Sequence, residues 1–254
     1  MDPISNTKPN PTIVFVPGAW HTPAPYKDML ELLQNAGYPI QSVSLPSVNG
    51  KYTERQTLAA DVEAVRETLL RVVDQGKEVV LLMHSYGGCA GGAAAKGLSP
   101  VQRTGPGAVI GLVFLAAFLV QEGHSLVQTA GGKLDTWVVE RGDGQLDVQD
   151  TIEVFYHDAP ADKASQAASE IQLHSLESFT TPCPPTAWND AAFDHRRGYI
   201  MTRQDRALPY IGQDMMLKLS GVEWVLREME TGHSPFLSNP EELVDHILSI
   251  IRSF

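Results

Sequence analysis

Ser85 stands where an apolar run, residues 78–83 (EVVLLM), meets a run of small residues, 89–97 (CAGGAAAKG). A serine at a sharp turn between a buried strand and a helix is lifted clear of the sheet. The helix N-terminus then turns its free N–H groups toward any anion formed beside the serine. Such a nucleophile elbow suits attack on a carbonyl carbon. The common elbow spacing is G-x-S-x-G; here it reads Met83-His84-Ser85-Tyr86-Gly87, with Met83 in the place of the first glycine. A serine hydroxyl needs a base, and the base needs an acid to orient it. After an elbow serine the expected chain order is acid, then histidine. Of the eight histidines, His233 falls in a loop (TGHSP) between the last expected strand and the last expected helix, where the base belongs. His21, His84, His124, His157, His174 and His195 precede any suitable late acid, or sit in loops, the elbow or a central insertion. His246 lies inside the last helix. The acid should follow the penultimate strand, which points to Asp205, 120 residues after the serine and 28 before the histidine. Asp194 precedes that strand, Asp214 lies within the next helix, and Glu230 ends the last strand.

An oxyanion needs two backbone donors. The N–H of Tyr86, just after the serine, is one candidate. The other is the N–H of Ala19 in the Pro17-Gly18-Ala19-Trp20 loop after the first strand, where Gly18 allows close approach. No histidines and carboxylates have metal-ligand spacing, and neither a glycine-rich dinucleotide fingerprint nor a phosphate loop is present, so no metal or cofactor is expected. His195-Arg196-Arg197 reads as a solvated basic patch.

These residues need a scaffold. Residues 12–16 (TIVFV), 41–45, 78–83, 108–116, 197–201 and 222–228 read as strands, and several are continuous apolar runs, as expected for strands buried on both faces. Helical periodicity occupies residues 26–36, 57–74 and 240–251 between and after them; the last begins with Asn239-Pro240-Glu241, a cap, a proline and a first-turn acid. Strands alternating with helices imply a mainly parallel sheet with helices on both faces. Residues 118–188 break the rhythm. They carry helical segments, glycines and prolines but no evident buried strand, and are expected to form an inserted helical cap between two parts of a core, 12–117 and 189–254. Residues 1–11 are expected to be a flexible leader. Trp137, Phe155 and Tyr156 in the cap either line a pocket or pack the cap itself.

Composition sets the outer bounds. The 254 residues carry a net charge of −11, which repels phosphate backbones and argues against nucleic acid or an anionic membrane as partner. The longest strongly apolar run, 108–120, is shorter than the roughly 20 residues of a membrane span. Cys89 and Cys183 make no disulfide framework, and the cytoplasm is the expected compartment. A small-molecule partner is expected, and a homodimer is compatible with the sequence.

Five patches carry a family resemblance: VFVPGAWHTP, VVLLMHSYGG, GLVFLAAFL, YIMTRQDRALP and GHSPFLSNPEEL. The chain resembles the α/β-hydrolases of the plant methylesterase and hydroxynitrile lyase branch, which includes the methyl salicylate esterase. The resemblance implies a triad of Ser85, Asp205 and His233, oxyanion donors at Ala19 and Tyr86, and a small cap over a mostly apolar pocket. It departs at Pro17, where the branch has histidine, and at Met83; it is weakest in the cap. The expected activity is hydrolysis of a small, largely apolar carboxylic ester or lactone through an acyl-enzyme. The alternatives are a C–C hydrolase, a lyase or a cyclase of specialised metabolism using the same triad, or a ligand receptor without turnover. In the hydroxynitrile lyases a lysine shortly after the catalytic histidine helps to hold cyanide; no lysine follows His233 here.

Overall fold

A computed structural model describes residues 9–48 and 56–254. Most of the expected leader lies outside the described residues. The first apolar run forms β1 (Thr12–Val16) and is wholly buried. After a short 3-10 turn come α1 (Lys27–Asn35), the short edge strand β2 (Ile40–Ser42) and α2 (Leu58–Val73). Then follow β3 (Val79–His84), α3 (Gly87–Ala94) and β4 (Val109–Leu115). Beyond the central insertion lie β8 (Arg197–Thr202), α8 (Tyr210–Ser220), β9 (Val225–Met229), α9 (Pro235–Ser238) and α10 (Pro240–Ile251). The insertion supplies the intervening elements: α4 (Leu126–Thr129), β5 (Val138–Glu140), β6 (Gln145–Val148), α5 (Thr151–Phe155), α6 (Ala161–Ser169), β7 (His174–Ser175) and α7 (Leu176–Thr180).

Six strands pair in the order β2-β1-β3-β4-β8-β9, and every pairing is parallel. Parallel pairing requires crossovers, and these place helices on both faces. On one face Phe254 and Ile250 settle over Gly111 and Gly198, which have no side chain to obstruct the C-terminal helix. On the other, α3 lies against Leu81 and Met83. The central strands β3 and β4 are almost entirely buried; at about 1.5–3 kcal/mol per buried aliphatic side chain, they anchor the core. The edges are short: β2 has three residues and β9 five, and β9 places the charged Arg227 and Glu228 at its centre.

Two expectations need correction. The insertion is not wholly helical: β5, β6 and β7 form a three-stranded antiparallel sheet. Those strands are two to four residues long, and only Leu146 of the β5–β6 hairpin is buried, so they leave no apolar run to read. Nor is Arg197 a solvated base. Its side chain is fully buried, donating to the Asp190 carbonyl at 2.6 Å and to Asp194 Oδ1 at 2.8 Å.

The glycine expected at the elbow has its counterpart in the helix that follows. A Cβ on Gly91 would lie 2.6 Å from Met83 Sδ and 2.7 Å from its Cγ, so the absent side chain of Gly91 houses the bulk that Met83 adds to the strand. Gly91→Val should therefore overpack this contact and lower stability by roughly 1–3 kcal/mol. Adding Met83→Ala should recover much of the loss in urea unfolding. Purely additive losses in the double variant would show that the two sites do not share this space.

Candidate active site

The C-terminal ends of β1, β3, β8 and β9 converge on one edge of the sheet, where open parallel sheets bind ligands. Ser85 follows β3 directly with φ of 52°, a left-handed backbone for a non-glycine residue. Its N–H donates to the Leu115 carbonyl at 3.1 Å, and its own carbonyl accepts from Gly88 and Phe118 at 3.0 and 3.1 Å. The side chain of Tyr86 is buried: its hydroxyl donates to Asp61 Oδ2 at 2.5 Å, and its ring stacks on Phe179. Asp61 also accepts from the N–H and hydroxyl of Ser47, at 2.9 and 2.6 Å. Burial raises the Asp61 carboxyl above the usual range, against the lowering effect of these bonds. Among the described residues, no protein acceptor takes the amide of Ala19 or of Tyr86.

Asp205 sits past the end of β8, and five donors surround its carboxylate. Oδ1 accepts from the amides of Ala207 (2.9 Å) and Leu208 (2.7 Å). Oδ2 accepts from Thr202 Oγ1 (2.8 Å), Gln213 Nε2 (3.3 Å) and His233 Nδ1 (2.8 Å). Such an arrangement fixes the imidazole plane and leaves Nε2 of His233 for the cavity. Gln213, fully buried on α8, ties this loop together by also bonding Thr202 and the Leu208 carbonyl. The sequence reading passed it over because a glutamine within a helix carries no local signal.

Ser85, His233, Ala19 and Tyr86 all line one small cavity, with about 40 Å³ of space for the centres of water-sized molecules. Its walls are mainly apolar and aromatic, with Trp20, Leu126, Leu134, Trp137, Phe155 and Phe179 prominent. Trp20 is the hub, 5.4–5.9 Å from the rings of Trp137, Phe155 and Phe179. Trp137 and Phe155 are therefore cavity residues. Tyr156 is not among the lining groups; it is fully buried, and its hydroxyl donates to His21 Nε2 at 2.7 Å. Lys133 and Asp135 bring the charged side chains of the lining.

Three histidines set aside on sequence lie buried around the site. His21 donates from Nδ1 to the Ala19 carbonyl at 2.6 Å, which leaves Nε2 to accept from Tyr156. Tyr26 accepts from the Gly18 amide at 3.1 Å and so donates to His84 Nδ1 at 2.8 Å; His84 Nε2 then donates to the carbonyl of His233 at 3.0 Å. His174 takes the Trp20 amide on Nδ1 at 3.4 Å and donates from Nε2 to Ser178 at 2.8 Å. Burial lowers His21 to about 4 and His174 to about 3, and holds His84 well below the ordinary imidazole value. All three are neutral near pH 7.

One turn of the insertion reaches both loops that carry the expected acid and base. His157 Nε2 donates to the carbonyl of Gln204, and Asp158 Oδ2 accepts from the amide of Gly232, at 3.0 and 2.7 Å. A Cβ on Gly232 would fall 2.6 Å from Asp158 Oδ1 and 2.7 Å from His157 Nε2. Among the described residues, no three His, Cys, Asp or Glu side chains are grouped to hold a metal ion, and no helix is long and apolar enough to cross a membrane.

The buried imidazoles imply an acid-sensitive fold. Unfolded, they take up protons near pH 6.5. Folded, His21 and His174 do so only near 4 and 3. Between those limits the unfolded chain binds more protons, so stability falls as pH falls. His174→Gln should weaken the drop in unfolding free energy between pH 7 and pH 5 by roughly 1–2 kcal/mol. A pH dependence equal to wild type in urea titrations would contradict this account.

Comparison with known proteins agrees with the architecture. A family model described as "Alpha/beta hydrolase family" matches residues 13–246. The chain is 30% identical over 239 residues to the alpha/beta hydrolase nvfD of Aspergillus novofumigatus, covering 92% of this chain and 94% of that one. It is 24% identical to a putative chloroplastic methylesterase of Arabidopsis thaliana, covering 92% of this chain and 61% of the plant protein. The crystal structure of a pyrethroid hydrolase from Sphingobium faniae superposes with a TM-score of 0.78 at 23% identity, over 96% of this chain and 98% of that one, a likeness of fold. With the family model spanning almost all of the sheet and its crossovers, the chain belongs to the alpha/beta hydrolase family.

Proposed function

We propose that the protein hydrolyses a small, largely apolar carboxylic ester or lactone, with Ser85 as nucleophile, His233 as general base and acid, and Asp205 as the orienting carboxylate. The observation that carries this reading is the 2.8 Å bond from His233 Nδ1 to an Asp205 held by five donors, with His233 and the elbow serine lining one cavity. Nε2 of His233 removes the Ser85 proton as Oγ attacks the carbonyl carbon. The carbonyl oxygen becomes an oxyanion, received by the Ala19 and Tyr86 amides, which have no protein acceptor among the described residues. The intermediate collapses as His233 returns its proton to the departing alkoxide, releasing the alcohol and leaving an acyl-enzyme. In a lactone the alcohol stays attached to the acyl group. Water, deprotonated by His233, then attacks the acyl carbon; Ser85 Oγ leaves with that proton, and the carboxylic acid departs. Asp205 stabilises the imidazolium at both stages.

The lining supports an apolar substrate. Besides His233 the cavity presents His21, which is neutral, and the pair Lys133 and Asp135, so a polyanion would lose its hydration with few cations to replace it. The relatives named as methylesterase and pyrethroid hydrolase fit the same class of chemistry.

Ser85→Ala should lower ester turnover by about 10⁴–10⁶ while the fold persists, and should abolish labelling by a fluorophosphonate. Asp205→Asn should lower it by about 10⁴. Asp214→Asn should leave kcat near wild type, and Asp194→Asn should act on stability, through the buried Arg197, rather than on turnover. Steady-state kinetics with p-nitrophenyl esters separates these outcomes; full activity in Ser85→Ala would dispose of the mechanism.

Gly232→Ala should drive the His233 loop against Asp158 and His157. A displacement of about 1 Å at the base is worth up to about 10²-fold in rate. The expected signature is a fall in kcat with KM little changed. Asp158→Ala, which removes the obstruction, should recover part of the loss in the double variant. If Gly232→Ala turned over like wild type, the insertion would have no part in placing the base.

A further inference from the structure

The cavity at Ser85 shares a wall with a second, larger depression. Phe118, Ala130, Asp135, Ala207 and Leu208 line both. The outer depression holds about 530 Å³ of space for the centres of water-sized molecules and runs along α8, with Trp188, Met215, Met216 and Leu219 as its apolar surface and Gln121 and His124 among its polar groups. The inner cavity, with about 40 Å³ on the same measure, has room for a small reacting group only. Two members of the shared wall, Ala130 and Ala207, carry the smallest side chains of the five. Met215 and Leu219 remain 56% and 68% exposed, so the apolar floor of the outer depression is uncovered.

We propose that the substrate has two limbs: a reacting end enclosed beside Ser85, and an extended or polycyclic apolar skeleton, bearing scattered hydroxyl or carbonyl oxygens, that crosses the shared wall and lies along α8. The five lining residues that the two spaces have in common are the reason the occupant is taken to be part of the substrate. The chemistry of the lining agrees. A thioether at Met215 adapts to an irregular apolar outline. Gln121 and His124 offer hydrogen bonds at intervals, as an oxygen-bearing skeleton requires. Asp135, the one carboxylate among the residues that line either space, stands on the shared wall and would accept a hydroxyl where the two limbs join. The proposal rests on the ester-hydrolase reading for its reacting end and extends it in size and substrate class.

The test separates binding from turnover. Ser85→Ala protein is titrated calorimetrically with uncharged aryl methyl esters that share one reacting end and carry outer substituents from none to a steroid-sized ring system. Affinity should rise about tenfold or more from the shortest to the longest member. In the double variant Met215→Asp, Leu219→Asp, placed in the same background, the long-to-short ratio should fall toward one. Equal affinity across the series would overturn the proposal. So would an unaltered ratio in the double variant accompanied by a change from dimer to monomer in sedimentation, because α8 would then be a contact between two copies of the chain. The wild-type enzyme is assayed on the same compounds. A length-dependent affinity without hydrolysis of any member would remove the esterase reading and leave the outer limb's site standing; hydrolysis of the whole series with flat affinity would do the reverse.

Discussion

The left-handed backbone at Ser85 is the constraint on which the rest of the site depends. A non-glycine residue held there costs on the order of 1–3 kcal/mol, so the surroundings must over-determine it. They do so from several directions. The serine's amide and carbonyl are both bonded, to Leu115 on one side and to Gly88 and Phe118 on the other. Tyr86 is moored to the buried carboxyl of Asp61, which links the turn to α2. Met83 fills the space beneath Gly91 and seats α3 on the strand. The same turn leaves the Tyr86 amide without a protein acceptor among the described residues and brings Ser85 against Gly18, next to the other proposed oxyanion donor.

The parts of this arrangement that were legible in the sequence are those written locally. Apolar runs such as TIVFV and EVVLLM announce strands buried on both faces, and the small residues after Ser85 announce a helix lying close to the sheet. His233 and Asp205 could be placed because each follows a strand end, and the structure sets them 2.8 Å apart. What escaped depends on partners distant in the chain. His174 reads as an ordinary cap residue until it meets Trp20, 154 residues away, and Asp158 until it meets Gly232, 74 residues away. Tyr156 belongs to the aromatic set that was noticed, but its hydroxyl is drawn to His21, and this turns it away from the cavity. The β5–β6–β7 sheet escaped for another reason: strands of two to four residues are held by pairing and not by an apolar pattern.

The histidines packed around the site bring polarity without charge. Around His233 lie three imidazoles that burial keeps neutral, each with its tautomer fixed by a carbonyl, an amide or a hydroxyl. Neutral rings of this kind supply oriented dipoles and complete the hydrogen bonding of loops that would otherwise bury unpaired groups. They also spare His233 the repulsion that a second imidazolium nearby would create when it takes up a proton. The net charge of −11 says little about what the cavity accepts, since its lining carries one lysine and one aspartate.

The strand order has a consequence for how the protein comes off the ribosome. β1 to β4 lie side by side and are complete by Leu115, whereas β8, the neighbour that covers the far side of β4, begins at Arg197. For the time needed to make the intervening 81 residues, a central strand reading VIGLVFL is an uncapped sheet edge, with its amides and carbonyls open to any other chain. Synthesis at about 5–20 residues per second stretches that interval to several seconds. Fewer nascent chains per unit volume, or a holdase chaperone, would limit pairing at that edge during this window.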